Sequence, residues 1–385
     1  MPWNTEEKVK DFEAFVADEA EASMATDEYP CQACGSALHF SPNAQTLECG
    51  HCGNLNEIRV SQDSHLLEHD LAAAIHGLAD KQDYEQVRVA KCHACAAEFE
   101  FDPHQHAQNC PFCSTAIVAD TSTANHIKPH GVVPFAVTEK DARDKVANWL
   151  KGLWFAPTKV KAYAREAAGF EGIYSPYWTY DSSTRSSYAG QRGDTYYEQV
   201  RVSTMVDGKR VTKTQSVPKI RWTQVAGNVA RDFDDVLVLA SHSLPERITK
   251  NLEHWDLRAA KPYNGAYVAG FRAESYQVDV EEGLVEAEAV MDQVIRADVR
   301  RSIGGDHQRI SWVRTKHANQ TFKHMLLPIW VSAFKFQNKT YRYVVNGQTG
   351  EVQGERPYSP IKIAFAVVVG LLIAGAIFAI YAATS

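Results

Sequence analysis

The sequence predicts an α+β chain: two N-terminal zinc ribbons, a mixed α/β body with antiparallel sheets, and one C-terminal transmembrane helix. Three observations carry that expectation. All eight cysteines fall in four Cys-x-x-Cys pairs, the middle of the chain alternates helical with strand-like periodicity, and the last residues form an unbroken apolar run.

The cysteines come first. "YPCQACGSALHFSPNAQTLECGHCGN" holds Cys31 and Cys34, then Cys49 and Cys52; "KCHACAAEFEFDPHQHAQNCPFCST" holds Cys92 and Cys95, then Cys110 and Cys113. In both stretches fourteen residues separate the pairs, so one module is used twice. A Cys-x-x-Cys turn aims two thiolates at one point, and two such turns complete the tetrahedral sulfur shell that structural zinc prefers. The alternative, two disulfides per stretch, needs an oxidising compartment. Residues 1–28 are acidic rather than basic-then-apolar, so no signal peptide is read there. Two structural zinc ions are therefore expected, with iron the other metal that four sulfurs accept. Closed shells leave no position for a catalytic water, and no cysteine remains for nucleophilic or redox chemistry. His39, His51, His93, His104 and His106 lie near the shells and are expected to be bystanders. His65, His69 and His76 in "SHLLEHDLAAAIHG" approach helical spacing, which predicts a polar helix face between the ribbons.

The terminal segment "IKIAFAVVVGLLIAGAIFAIYAATS" has no charge over residues 363–383, enough helix to span about 32 Å and cross a bilayer. Arg356 and Lys362 precede it and no basic residue follows, so the positive-inside rule places the N-terminal region in the cytoplasm. That is a reducing compartment, where thiolates hold zinc. Ala366, Gly370 and Ala374 put small residues one turn apart, a hint of helix packing in the membrane.

The net charge of −7 resides in the N-terminal arm, where nine acidic residues face Lys8 and Lys10. The ribbons carry almost no Lys or Arg, so nucleic-acid binding is not expected and protein partners are. Asn4 and Glu7 form a candidate capping box ahead of Val9, Phe12 and Val16, which predicts a short docking helix or a solubilising tail.

The predicted segments are an arm over 1–28, ribbons over 29–60 and 91–120 joined by a helix and strand over 61–90, a body over 121–358, and a membrane helix over 361–383. In the body, Thr138 caps a helix whose apolar stripe is Ala142, Val146, Trp149, Leu150 and Leu153. A long hairpin turns at Asp207-Gly208, and a meander turns near Asn338 and at Asn346-Gly347. A candidate internal duplication runs strand, helix, Pro-x-Trp, strands. It matches Pro176 and Trp178 with Pro328 and Trp330, the alternative being two prolines that each open an edge strand.

No nucleotide-binding, hydrolase or metalloprotease motif is present. Asp232, Asp234 and Asp235, and Asp306 with His307, are the residues from which acid–base chemistry or a hard-metal site could be built. Turn and loop positions are the expected roles.

The paired ribbons, "VVPFAVTEKDARDKVANWL", "GIYSPYWTYD", "FDDVLVLAS", "LLPIWVSAF", "YRYVVNGQTGEVQGERPYS" and the terminal span together resemble a bacterial family of membrane-anchored zinc-ribbon proteins. The resemblance covers nearly the whole chain. Members are often labelled primosomal protein N-prime or replication factor Y, a superfamily II helicase, and sometimes transcription-factor-IIB-type zinc-ribbon proteins. This chain lacks the phosphate-cradling loop that a helicase motor needs. The resemblance implies a protein of the bacterial inner membrane acting beside flotillin-like or phage-shock-type membrane proteins. The expectation is a non-enzymatic adaptor, with a membrane-tethered nucleic-acid protein of replication or transcription as the alternative.

Overall fold

The computed structural model describes residues 29–58, 66–76, 84–95, 97–100, 107–113, 115–118, 121–157, 170–206, 209–249, 252, 254–336, 339–355 and 358–384. The N-terminal arm, His65, His104, His106, Asp207, Gly208, Asn338 and Arg356 lie outside them.

Three long strands, Glu171–Val206, Lys209–Leu239 and His307–Phe336, dominate the body. The first pairs antiparallel with both others and is central; the third continues into Lys339–Asn346 by another antiparallel hairpin. The first hairpin closes with Val206 opposite Lys209, in register with the predicted turn. It outruns the third strand, whose last partner is His307 at Gly193. Residues 194–206 and their partners therefore project as a two-stranded arm of about 40 Å. At the end of Lys339–Asn346, the Asn346 side chain accepts from the N–H groups of Gln348 and Thr349, closing the turn expected there.

The predicted helix forms as Glu139–Gly152. The Thr138 hydroxyl accepts from the Asp141 N–H at 3.1 Å, and Ala142, Val146 and Leu150 are buried, with Trp149 and Leu153 packed beside them. A second helix, Val280–Ile303, starts from an Asp279 cap that accepts two N–H bonds.

The two halves of the body repeat the same contacts, each half supplying what the other lacks. Pro176 lies opposite Leu326 and Pro328 opposite Tyr174, so a local two-fold passes near the Ser175–Leu327 pair. Short strand Gly131–Val132 runs parallel to Met325–Leu326 of the third strand, and short strand Arg272–Ala273 parallel to Ile173–Tyr174 of the first. The Trp178 indole donates to the carbonyl of Val278, just before the Asp279 cap; Trp330 donates to that of Val137, just before the Thr138 cap, both at 2.8 Å. Phe135 lies 4.9 Å from Trp330, and Tyr276 lies 5.0 Å from Trp178. The carbonyl of Pro176 accepts from Ala240 N–H and that of Pro328 from Gly347 N–H. Ala240 in turn accepts from Gln277 and Val278, as Gly347 does from Ala136 and Val137.

This geometry corrects the edge-strand alternative for the prolines. Both sit inside central strands, each offering a carbonyl to one neighbour while its missing N–H goes unmissed. The predicted histidine helix is also corrected. His69 belongs to a short strand, His69–Asp70, paired with Thr321 and Phe322; the helix is only Leu71–Ile75, capped by Asp70, and His76 closes it. Asp70 is a strong capping residue, and its side chain accepts from Ala73 N–H to start the helix after His69.

Candidate metal centres

Four knuckles hold the eight cysteines. In each, the backbone N–H of the first cysteine donates to a carbonyl five residues on: Cys31 to Ser36, Cys49 to Asn54, Cys92 to Ala97 and Cys110 to Thr115, at 2.8–3.0 Å. Gly35 and Gly53 follow the second cysteine of their pairs with φ of +76° and +70°, a left-handed turn that glycine adopts without steric cost.

The turns bring the sulfurs into two quartets, Cys31/Cys34/Cys49/Cys52 and Cys92/Cys95/Cys110/Cys113, within each of which all sulfurs lie within 4.8 Å. Cys31 and Cys52 are 3.6 Å apart, Cys34 and Cys49 3.5 Å, and Cys92–Cys113 and Cys95–Cys110 both 3.6 Å. Disulfides need about 2.05 Å. A tetrahedral shell with Zn–S of about 2.3 Å has edges near 3.8 Å, so the quartets fit a metal and not two disulfides. Crowded sulfurs compete for protons. The N–H and hydroxyl of Ser36 hold Cys34 down to about 6, while Cys52, which Asn54 N–H would lower, is pushed up to about 12 by the adjacent sulfurs. In the second quartet the hydrogen bond from Cys110 lowers Cys95 to about 5, and the same bond raises Cys110. A divalent cation replaces that competition with four thiolates.

Both ribbons are built into the body. In the first, Phe40 N–H donates to the Ala269 carbonyl, Gln45 donates to that of Phe135, and Phe40 and Leu47 join the core around the 139–152 helix. In the second, Phe99 and Phe112 are fully buried against Ile173, Ile329 and Val344, and Arg342 donates to the Phe112 carbonyl at 2.9 Å. Cys34 and Cys52 are exposed, the other six buried or half-buried. His39, His51 and His93 stand outside both quartets.

Asp232, Asp234 and Asp235 lie within the second long strand rather than in a turn, at a bulge where the register slips beside Asp181. Asp235 takes φ of +54°, and its N–H donates to Asp181 at 2.6 Å. Buried Lys323 sits among carboxylates, 2.8 Å from Asp235, 3.4 Å from Glu68 and 3.6 Å from Asp181. Burial works against its charge, yet the Asp235 bond and the other carboxylates hold it above its ordinary value, while burial raises Asp181. Glu68, Asp181 and Asp234 come close enough to hold a cation, and the Lys323 ammonium already pairs with two of the three, Glu68 and Asp181. Asp306 accepts from Thr195 N–H at 2.8 Å, a bond that lowers its carboxyl and ties the 304–306 loop to the sheet.

One buried carboxyl was not foreseen. Glu274 accepts from Ser175 at 2.8 Å and from Ser241, and complete burial pushes it up to about 7. In sequence it is one glutamate of "FRAESY", with no signal of burial.

At the other end, Pro360–Thr384 is a helix whose apolar window has mean hydropathy 2.9 and no buried residue, long and apolar enough to cross a membrane. Its start is pinned to the loop after the 139–152 helix: Ser359 N–H donates to Phe155, and the Lys362 ammonium donates to the Ala156 and Trp154 carbonyls. Trp154, Phe155 and Tyr358 stand exposed at that level, a collar of the kind found at membrane interfaces.

Fold and site together define an α+β protein with two four-cysteine clusters, each able to hold a metal ion, and one candidate membrane helix. The chain is 24% identical over 340 residues to "Uncharacterized protein YdjG" of Bacillus subtilis (strain 168), across 87% of this chain and 92% of that protein. No protein-family model and no solved structure matches it.

Proposed function

We propose that the chain is a non-enzymatic adaptor of the bacterial inner membrane. Its C-terminal helix crosses once, its ribbons and body face the cytoplasm, and it recruits partner proteins, with flotillin-like or phage-shock-type membrane proteins as the favoured class. The observation that carries the reading is the joining of two four-sulfur clusters and an apolar helix to one body. Such shells hold structural zinc and offer no open position to a substrate. The collar of Trp154, Phe155 and Tyr358 beside Lys362 supports membrane anchoring, and the positive-inside rule supports the orientation.

The test is affinity purification of the full chain from detergent-solubilised membranes with quantitative mass spectrometry. A stoichiometric protein partner, absent when Cys31→Ser and Cys92→Ser are combined, supports the adaptor. A chain found in the soluble fraction, or one that brings down no protein above background, sinks it.

A further inference from the structure

The three long strands have two faces, of which the 280–303 helix covers one. Ile295, Val299 and Ile303 pack there on Tyr188, Val225, Val229, Ile310 and Val313, and Asp298 takes a two-pronged bond from Arg231 at 2.6 and 2.9 Å. Side chains alternate across a sheet, so the residues between these point the other way.

On that other face the register sets Arg185 beside Lys316, Ser187 beside Arg314, Ala189 beside Trp312, Gln191 beside Arg309, and Gly193 opposite Trp222. The Arg309 guanidinium lies 4.0 Å from the Trp222 ring centre, and that of Arg314 lies 5.2 Å from the Trp312 ring centre. Arg185, Arg309, Arg314 and Lys316 have no carboxylate partner among the described residues. Asp232, beside Ser183, is the carboxylate next to these cations; the others on this face, Asp181 with Glu68, Asp234 and Asp235, gather farther along the strands around Lys323. Four cations and two indoles thus line a surface floored by small side chains.

We propose that this face docks an acidic amphipathic helix of a partner protein. The proposal rests on the adaptor reading and names the chemistry of the partner. Charge complementarity is the first argument. Geometry is the second: a guanidinium braced on an indole keeps its N–H edge free, the fork that meets a carboxylate with two bonds. The covered face shows the same solution already in use, an acidic helix held by an arginine of the sheet. Single-stranded nucleic acid fits less well, because base stacking needs open aromatic faces and both indoles are capped by cations.

The test uses the full chain in nanodiscs of zwitterionic lipid. The probe is a fluorescein-labelled helical peptide of about 24 residues with glutamates spaced i,i+4 on one face. Oligothymidylate of equal charge is the comparison. In about 0.05 M salt the peptide should bind with a Kd on the order of micromolar and weaken as salt rises. Arg314→Glu with Lys316→Glu should weaken it by roughly tenfold or more, and Trp312→Ala by a few-fold, with zinc content and unfolding unchanged. No binding at low salt, binding indifferent to the charge reversals, or tighter binding of the oligonucleotide overturns the proposal. Retention of a natural partner by the charge-reversed chain overturns the docking face alone, whereas peptide binding by a chain with no natural partner sinks the adaptor reading.

Discussion

Lys323 holds together two carboxylates that would otherwise repel each other in a partly buried bulge. Lys323→Met leaves Asp181 and Asp235 without their counter-charge, at a cost of roughly 2–4 kcal/mol. Denaturant titration should show that loss, and adding Asp181→Asn with Asp235→Asn should restore most of it. A second single-residue prediction concerns Glu274, whose carboxyl moves from 4.5 to about 7 on folding. Below pH 4.5 both folded and unfolded states carry the proton, so its contribution is fully present there. As pH rises through 7 the unfolded chain has released the proton and the folded one must follow, and about 3 kcal/mol is lost. Glu274→Gln does not titrate and should gain that amount on the parent between pH 5 and 8. A pH-independent difference between the two would refute the assignment. Neither residue was legible in the sequence, because burial of both depends on strands far away along the chain. The cysteine quartets were legible, since a Cys-x-x-Cys turn is specified within a few residues.

At the scale of elements, the capped helix at Thr138 and the terminal apolar helix were readable from local pattern. The lengths of the strands were not. Arg185 and the cations from Arg309 to Lys316 carry no shared pattern in the sequence, and only the register of the first and third strands makes them neighbours. The same register explains why the histidine spacing misled: His69 is claimed by pairing with Phe322 before a helix can include it. The two indole bonds give an element-scale prediction. Trp178→Phe and Trp330→Phe each strand a buried carbonyl ahead of a helix cap and leave a gap. Each should cost roughly 2–4 kcal/mol, and similar amounts, in denaturant titration. A tenfold disparity in their effect on the folding constant would mean that the halves are not energetically equivalent.

At the scale of the whole molecule, the ribbons share their cores with the body, so metals bound in the quartets would hold more than their own knuckles. Removing them with a strong chelator should lower the midpoint of the entire thermal transition, with ribbons and body melting together. Loss of a minor first transition, with the body melting as before, would show the ribbons to be independent. Metal analysis of the intact chain should return two ions, and of Cys110→Ser one.

The crossed contacts of the two halves have a further consequence. Each half offers a short strand, a helix cap and an indole whose partners all belong to the other. One half alone would leave every one of these unmatched, while two identical copies would satisfy each other around the same axis. The body thus has the connectivity of a symmetric dimer written as one chain, with a long hairpin arm on one side and the apolar terminal helix on the other.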